Sequence, residues 1–166
     1  MGTVEDLKTA FAGESQANRR YLAFAKKAEQ DGFKQVAKLF RAAAHAETVH
    51  ALNHLKALGE VKETAENLKA AVSGETFEFT NMYPGMIKRA EEEGNEAAKT
   101  SFNNANHVEK IHADLYKKAL DAISSGKDVE TNDIYVCQIC GNTVEGGAPE
   151  KCPICGFPKS SFNKVE

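Results

Sequence analysis

Two heptapeptides in this 166-residue chain carry metal-ligating residue types at a spacing that a helix can use: His45-Ala46-Glu47-Thr48-Val49-His50-Ala51 and His107-Val108-Glu109-Lys110-Ile111-His112-Ala113. Both read H-x-E-x-x-H-A. A Glu and a His three apart on an α-helix project from one face, so each copy offers a carboxylate beside an imidazole. The first histidine of each copy, His45 or His107, stands two positions before the glutamate, roughly 200° round the helix, and faces away. His54, further along the same helix as His50, reads as a surface group. Two half-sites ask for two metals, or for one metal gripped from both sides.

The second constellation lies at the other end of the chain. All four cysteines, Cys137, Cys140, Cys152 and Cys155, sit in two C-x-x-C-G knuckles within the last 30 residues. Cysteines clustered this way predict a tetrahedral four-thiolate site rather than disulfides spread over a secreted fold. In each knuckle the glycine lets backbone N–H groups turn toward the sulfurs and stabilise their charge. The metal is either zinc, purely structural, or iron, able to carry one electron. A redox-active pair of metals elsewhere in the chain needs an electron feed, which favours iron.

Elements must position these groups. Apolar residues recur at helical spacing from Thr3 to Gln30, predicting a first helix, and from about Phe33 to Gly59, predicting a second that carries the first heptapeptide. Gly32 and Gly59 read as C-terminal caps. Residues 60–73 read as a long connection containing a short helix at Thr64–Leu68, long enough to cross over before the next helix pair. A third helix is predicted from Gly74-Glu75 to Gly94, kinked by Pro84 close to Glu78. A fourth runs from about Asn95 to Ser124, stops at Gly126 and carries the second heptapeptide.

Sliding the chain against itself by 62 residues aligns 21–58 with 83–120 without a gap, and 14 of these 38 positions are identical. Tyr21 answers Tyr83, Phe40 answers Phe102, and both Glu-x-x-His pairs coincide. Glu14 finds its counterpart at Glu75 with a slip of one residue. The helical part is therefore two copies of one helix pair. The architecture expected is an all-α, ferritin-like four-helix bundle with one long crossover, whose interior takes a Glu from each of two helices and a Glu-x-x-His from each of the other two. Those ligands are Glu14, Glu75, Glu47 with His50, and Glu109 with His112. The bundle is assigned to 1–126, a linker to 127–134 and the metal-knuckle domain to 135–166.

Four carboxylates in a helical core cost several kcal/mol each unless neutralised, and two divalent cations would do so. Mixed oxygen and nitrogen ligation with open positions suits iron or manganese better than zinc. Glu78, one turn beyond Glu75, is a surplus carboxylate that can act as a seventh ligand. Tyr21 lies two turns beyond Glu14, so its hydroxyl can reach the site, and Tyr83 is its repeat partner.

Composition narrows the setting. The chain is 42% apolar and 27% charged with a net charge of −3, an ordinary globular composition without the basic excess of a nucleic-acid binder. It has neither a membrane-spanning apolar run nor the basic flank and apolar core of a signal peptide at its N-terminus, so a cytoplasmic protein is expected.

Over nearly its whole length the chain resembles the rubrerythrin family, in Phe11-Ala12-Gly13-Glu14-Ser15-Gln16-Ala17, the two Glu-x-x-His motifs, Gly74-Glu75-x-x-Glu78 with Tyr83-Pro84, and the paired cysteine knuckles. The resemblance implies a ferritin-like di-iron domain followed by a rubredoxin-like domain. Its implied di-iron ligands are Glu14, Glu47, His50, Glu75, Glu78, Glu109 and His112, with Glu78 and His50 trading places on one iron between oxidation states. It also implies reduction of hydrogen peroxide to water, with electrons from a reduced pyridine nucleotide passed through a separate rubredoxin or rubredoxin reductase. Glu47 and Glu109 read as the bridging carboxylates, and Tyr21 or Tyr83 as a proton source. A homodimer is expected, head to tail, with the shorter electron path running to the bundle of a second chain. Two other readings make distinct predictions: a ferroxidase would assemble into a cage and has no use for the cysteine tail, and a zinc-binding interaction module would be colourless.

Overall fold

Two long helices open the fold of the computed structural model, which describes residues 2–130 and 132–166. Helix α1 spans Thr3–Gln30 and α2 spans Lys34–Leu58. The turn between them contains Gly32 at φ 86°, and Gly59 closes α2 at φ 65°, a left-handed conformation that glycine adopts without a Cβ penalty. Small side chains form the seam: Ala37, Ala44 and Ala51, spaced by seven, are buried on α2, as are Ala25 and Ala28 on α1. Alanine there lets the backbones approach closely. Asn18 uses that proximity, donating from Nδ2 to the Ala44 carbonyl at 2.7 Å and to Thr48 Oγ1 at 2.8 Å.

The chain divides into two compact units, one ending at Lys62 and the other beginning at Glu63. The second unit starts with α3, Thr64–Phe77. The connection expected at 60–73 is therefore mostly helix, and only Gly59–Glu63 links α2 to α3. Ala70, Ala71 and Val72 continue the helix without a breaker, and Gly74 sits inside it rather than starting it.

The kink expected at Pro84 is also a different feature. Residues Glu78–Met82 form one π-helical turn, and α4, Tyr83–Glu92, begins immediately after with Pro84 in its first turn. Proline is tolerated there because N–H groups in a first turn lack partners anyway. The Tyr83 N–H reaches back five residues to the Glu78 carbonyl. A π turn is one extra residue accommodated within a helix, which explains the slip in the internal repeat. Glu14 to Tyr21 is seven residues, Glu75 to Tyr83 is eight, and the additional residue is taken up by the π turn.

Helix α5, Glu96–Ser124, is capped by Asn95, whose Oδ1 accepts from the Ala98 N–H at 3.1 Å. Val108 and Ala113 are its buried residues. The tail forms a three-stranded antiparallel sheet of β1 (Ile134–Cys137), β2 (Thr143–Glu145) and β3 (Phe162–Lys164), in the order β2-β1-β3. Its small core is Cys137, Cys152 and Phe162, with Tyr135, Val144 and Ile154 packed against them. Of the residues assigned to bundle and linker, Met1 and Thr131 lie outside the described residues. Among the described residues no helix is long and apolar enough to cross a membrane.

Candidate metal centres

Each unit brings together one carboxylate–carboxylate–imidazole triad. In the first, α1 supplies Glu14 and α2 supplies Glu47 and His50; in the second, α3 supplies Glu75 and α5 supplies Glu109 and His112. Within each triad one ligand atom per residue lies within 4.8 Å of the others. The Glu-x-x-His spacing does what the helix period requires: His50 Nδ1 stands 2.9 Å from Glu47 Oε2, and His112 Nδ1 stands 2.8 Å from Glu109 Oε2. The two copies differ in exposure, with the His50 side chain 54% accessible and that of His112 27%.

The aromatic neighbours repeat as well. Tyr21 packs on Phe40 with ring centroids 6.1 Å apart, and Tyr83 packs on Phe102 at 6.2 Å. Glu78 stands outside the Glu75–Glu109–His112 cluster but within its electrostatic field. His45 and His107 are exposed, as their position round the helix requires, and His107 Nδ1 meets the Asn103 carbonyl at 2.7 Å. His54 is half-buried rather than fully exposed, and it too stands outside the clusters found among the described residues.

The second triad is electrostatically crowded. Burial, then the charge of Glu109 and a hydrogen bond to it, then the charge of Glu78 push Glu75 up to about 7 from an ordinary 4.5. Glu78 is also raised, by burial and by Glu109, against an opposing effect of His112. Burial and then the same three carboxylates, Glu109 foremost, raise the Tyr83 phenol. Two raised carboxyls, Glu75 and Glu78, beside the charge of Glu109 are a donor set short of positive charge. A divalent cation would supply it, so oxygen donors and an imidazole fit iron here.

The four sulfurs fit a metal for a separate, geometric reason. Cys137 Sγ lies 3.7 Å from Cys155 Sγ, and Cys140 Sγ lies 3.6 Å from Cys152 Sγ. A disulfide would bring sulfurs to about 2.05 Å, whereas sulfurs about 2.3 Å from a central metal stand about 3.8 Å apart in a tetrahedron. Gly141 at φ 84° and Gly156 at φ 77° turn the two knuckles. Burial raises the Cys140 and Cys155 thiols; at Cys152 burial acts the same way but is outweighed by the Cys155 and Ile154 N–H groups and neighbouring thiols, bringing it down to about 7.

Two contributors carried no recognisable sequence signal. Asn142 is 1% exposed, and its Nδ2 donates toward Cys152 Sγ at 3.8 Å. Thr143 Oγ1 lies 2.9 Å from His112 Nε2, and Lys118 on α5 pairs with Glu145 at 2.6 Å. The cysteine module thus packs on α5 of its own chain.

Comparisons with known proteins cover both parts of the chain. The family model described as Rubrerythrin matches residues 5–120, and that described as Rubrerythrin, rubredoxin-like domain, matches residues 135–163. Rubrerythrin-2 of Clostridium acetobutylicum is 34% identical over 174 residues, covering 96% of this chain and 95% of that protein. Nigerythrin of Nitratidesulfovibrio vulgaris is 37% identical over 174 residues, covering 96% and 85% respectively. A solved structure of nigerythrin in a partially reduced state matches with a TM-score of 0.59 at 35% identity, covering 99% of this chain and 87% of that one.

Proposed function

The chain belongs to the rubrerythrin family, and from that premise we propose that it is a peroxide reductase, turning hydrogen peroxide into water at its helical site and recharged through its cysteine site. Its fold is ferritin-like with a rubredoxin-like C-terminal domain, and its cofactors are a non-haem di-iron centre and one iron in the four-cysteine site. The general chemistry is that of a di-iron oxidoreductase acting in oxidative-stress defence.

The finer assignment rests on this chain's residues. Glu14, Glu47, His50, Glu75, Glu109 and His112 would hold the iron pair, with Glu47 and Glu109 as the carboxylates able to serve both metals and Glu78 and His50 as the groups that would exchange. When bound, the iron pair supplies the two electrons that break the O–O bond of hydrogen peroxide. Tyr83 stands in the field of the Glu109, Glu78 and Glu75 carboxylates and would donate its phenol proton to a departing oxygen, with Tyr21 as its counterpart. Residues 1–126 form the reacting part, 127–134 the link, and 135–166 the electron-carrying module. Electrons come from an NAD(P)H-linked rubredoxin or rubredoxin reductase, in the cytoplasm. The working form is a homodimer, which would cover the stripe of Phe33, Val36 and Leu39, 63%, 45% and 68% exposed on this chain.

The observation that carries this reading is that two carboxylate–imidazole triads and a four-thiolate site share one chain, with the thiolate module seated on a triad histidine. Iron-loaded protein supplied with reduced rubredoxin should consume peroxide continuously. Glu109→Ala should lower that rate by more than the roughly 10–100-fold that loss of an outer-sphere partner costs. A Glu109→Ala protein as active as the parent would exclude the helical site as the place of reaction.

A further inference from the structure

We propose that the helical metal site is completed only by a second copy of this chain, with α1 and α2 of one protomer closing on α3, α4 and α5 of the other. The ground is a length. In a ferritin-like bundle one long crossover lets the second and third helices lie side by side in the same direction. Here Glu47 lies eleven residues before the end of α2 at Leu58, and Glu75 lies eleven residues after the start of α3 at Thr64. At about 1.5 Å per residue each stretch is ~16 Å long, so bringing Glu47 and Glu75 of one chain to the same level obliges the connection to travel back ~33 Å along the bundle. That connection is Gly59–Glu63. Fully extended, it reaches ~21 Å from the last residue of α2 to the first of α3. In this arrangement the two carboxylates cannot meet within one chain, whereas between two copies no such limit applies.

Unwinding the start of α3 would lengthen the connection, but that start is held. The N–H groups of Glu66 and Asn67 donate to the Glu63 carbonyl at 2.9 and 3.0 Å, and α3 packs against α5. Each hairpin also lacks cover. Among the described residues, those fully buried in the helices are seven alanines and Val108, with no Leu, Ile, Phe or Met. Phe24, Val49 and Leu52 of the first hairpin and Phe77 of the second are exposed. A helix pair must bury such side chains against another layer.

A second copy supplies both the apolar cover and the missing carboxylate–carboxylate–imidazole triad. Exchange of identical hairpins gives a closed two-fold dimer with two sites, each joining the first triad of one protomer to the second triad of its partner. A hinge too short to fold back on its own chain is what favours such an exchange. The inference rests on the homodimer and the ligand assignment proposed above, and does not depend on peroxide.

The test uses the full-length chain in two ways. In a zinc-loaded mixed dimer of methyl-¹³C-labelled and unlabelled chains, isotope-filtered NMR should show methyl contacts from α2 of one chain to α3 or α5 of the other. Separately, a chain carrying Glu47→Ala and His50→Ala is co-produced with a chain carrying Glu109→Ala and His112→Ala, and the heterodimer is isolated through two different affinity tags. Each variant alone should lose the tightly held cobalt(II) of the helical sites. The heterodimer should recover half of the parent's, because one of its two sites is then assembled from two unaltered triads. Contacts between hairpins confined to one chain overturn the proposal, and are what an up-down-up-down order with a tight turn between α2 and α3 would give. A parent with the mass of one chain overturns it too, as does a heterodimer that holds no more helical cobalt(II) than either variant when the parent binds it. Methyl contacts between chains in a parent that binds no helical cobalt(II) would uphold the exchange and count against the ligand assignment alone.

Discussion

Glu75 has the most perturbed carboxyl of the helical sites, and the cause is the company of Glu109 and Glu78 in a partly buried setting. A carboxyl raised from 4.5 to about 7 on folding binds its proton more tightly in the folded state. The metal-free protein therefore holds its full stability below about pH 4.5 as far as this group is concerned, and loses stability as pH rises through about 7. We expect the melting temperature of metal-free protein to fall across that window. Glu75→Gln should flatten the fall, and bound divalent metal should remove it; a slope unchanged by Glu75→Gln would show that the crowding does not act through this carboxyl. At this scale the sequence was highly legible, because Glu47, His50, Glu109 and His112 announce themselves by recurring. Thr143 and Asn142 were invisible, since a hydroxyl or an amide after a knuckle glycine acquires a role only from what packs against it.

The π turn Glu78–Met82 is the element that separates the two halves of the repeat. It takes up one residue between Glu75 and Tyr83, so that Tyr83 meets Phe102 as Tyr21 meets Phe40 while Glu78 occupies a position with no counterpart in the first half. Deleting Thr80 should relax the segment to an α-helix and restore between Glu75 and Tyr83 the seven-residue spacing of Glu14 and Tyr21. The expected result is a protein with parental helical circular dichroism that holds iron less tightly in its helical site, having lost the π turn that sets Glu78, and keeps the four-cysteine iron. Parental iron affinity in both sites would mean that the π turn has no part in placing Glu78. Pro84 drew attention to this region from the sequence, yet for the wrong geometry. Proline suggests a kink, and only the one-residue slip, read together with it, identifies an inserted residue. The start of α3 was misread for a related reason: Gly74 looked like a boundary, but the alanine-rich turns before it outweigh one glycine's cost of about 1 kcal/mol.

On the scale of the whole molecule, the chain holds two helical hairpins of common pattern and one small sheet, with each hairpin bringing together one carboxylate–carboxylate–imidazole triad. The sheet was anticipated only as two knuckles. Its register, with Tyr135 opposite Val144 on one side and Lys164 on the other, comes from short strands whose pairing no periodicity reveals. The proposed homodimer belongs to this scale. Leu39→Glu would place a charge in the stripe of Phe33, Val36 and Leu39, and light scattering should then report the mass of one chain where the parent reports two. A parent that is monomeric and fully active would contradict the dimer.

The central claim is that the paired triads are built for peroxide, and reduced protein tests it most directly. Fully reduced, iron-loaded protein should be oxidised rapidly and stoichiometrically when mixed with hydrogen peroxide in an anaerobic stopped-flow instrument, and only slowly when mixed with dissolved oxygen. Oxidation by oxygen at the higher rate, or a peroxide rate no greater than that of Glu47→Ala, would contradict the account.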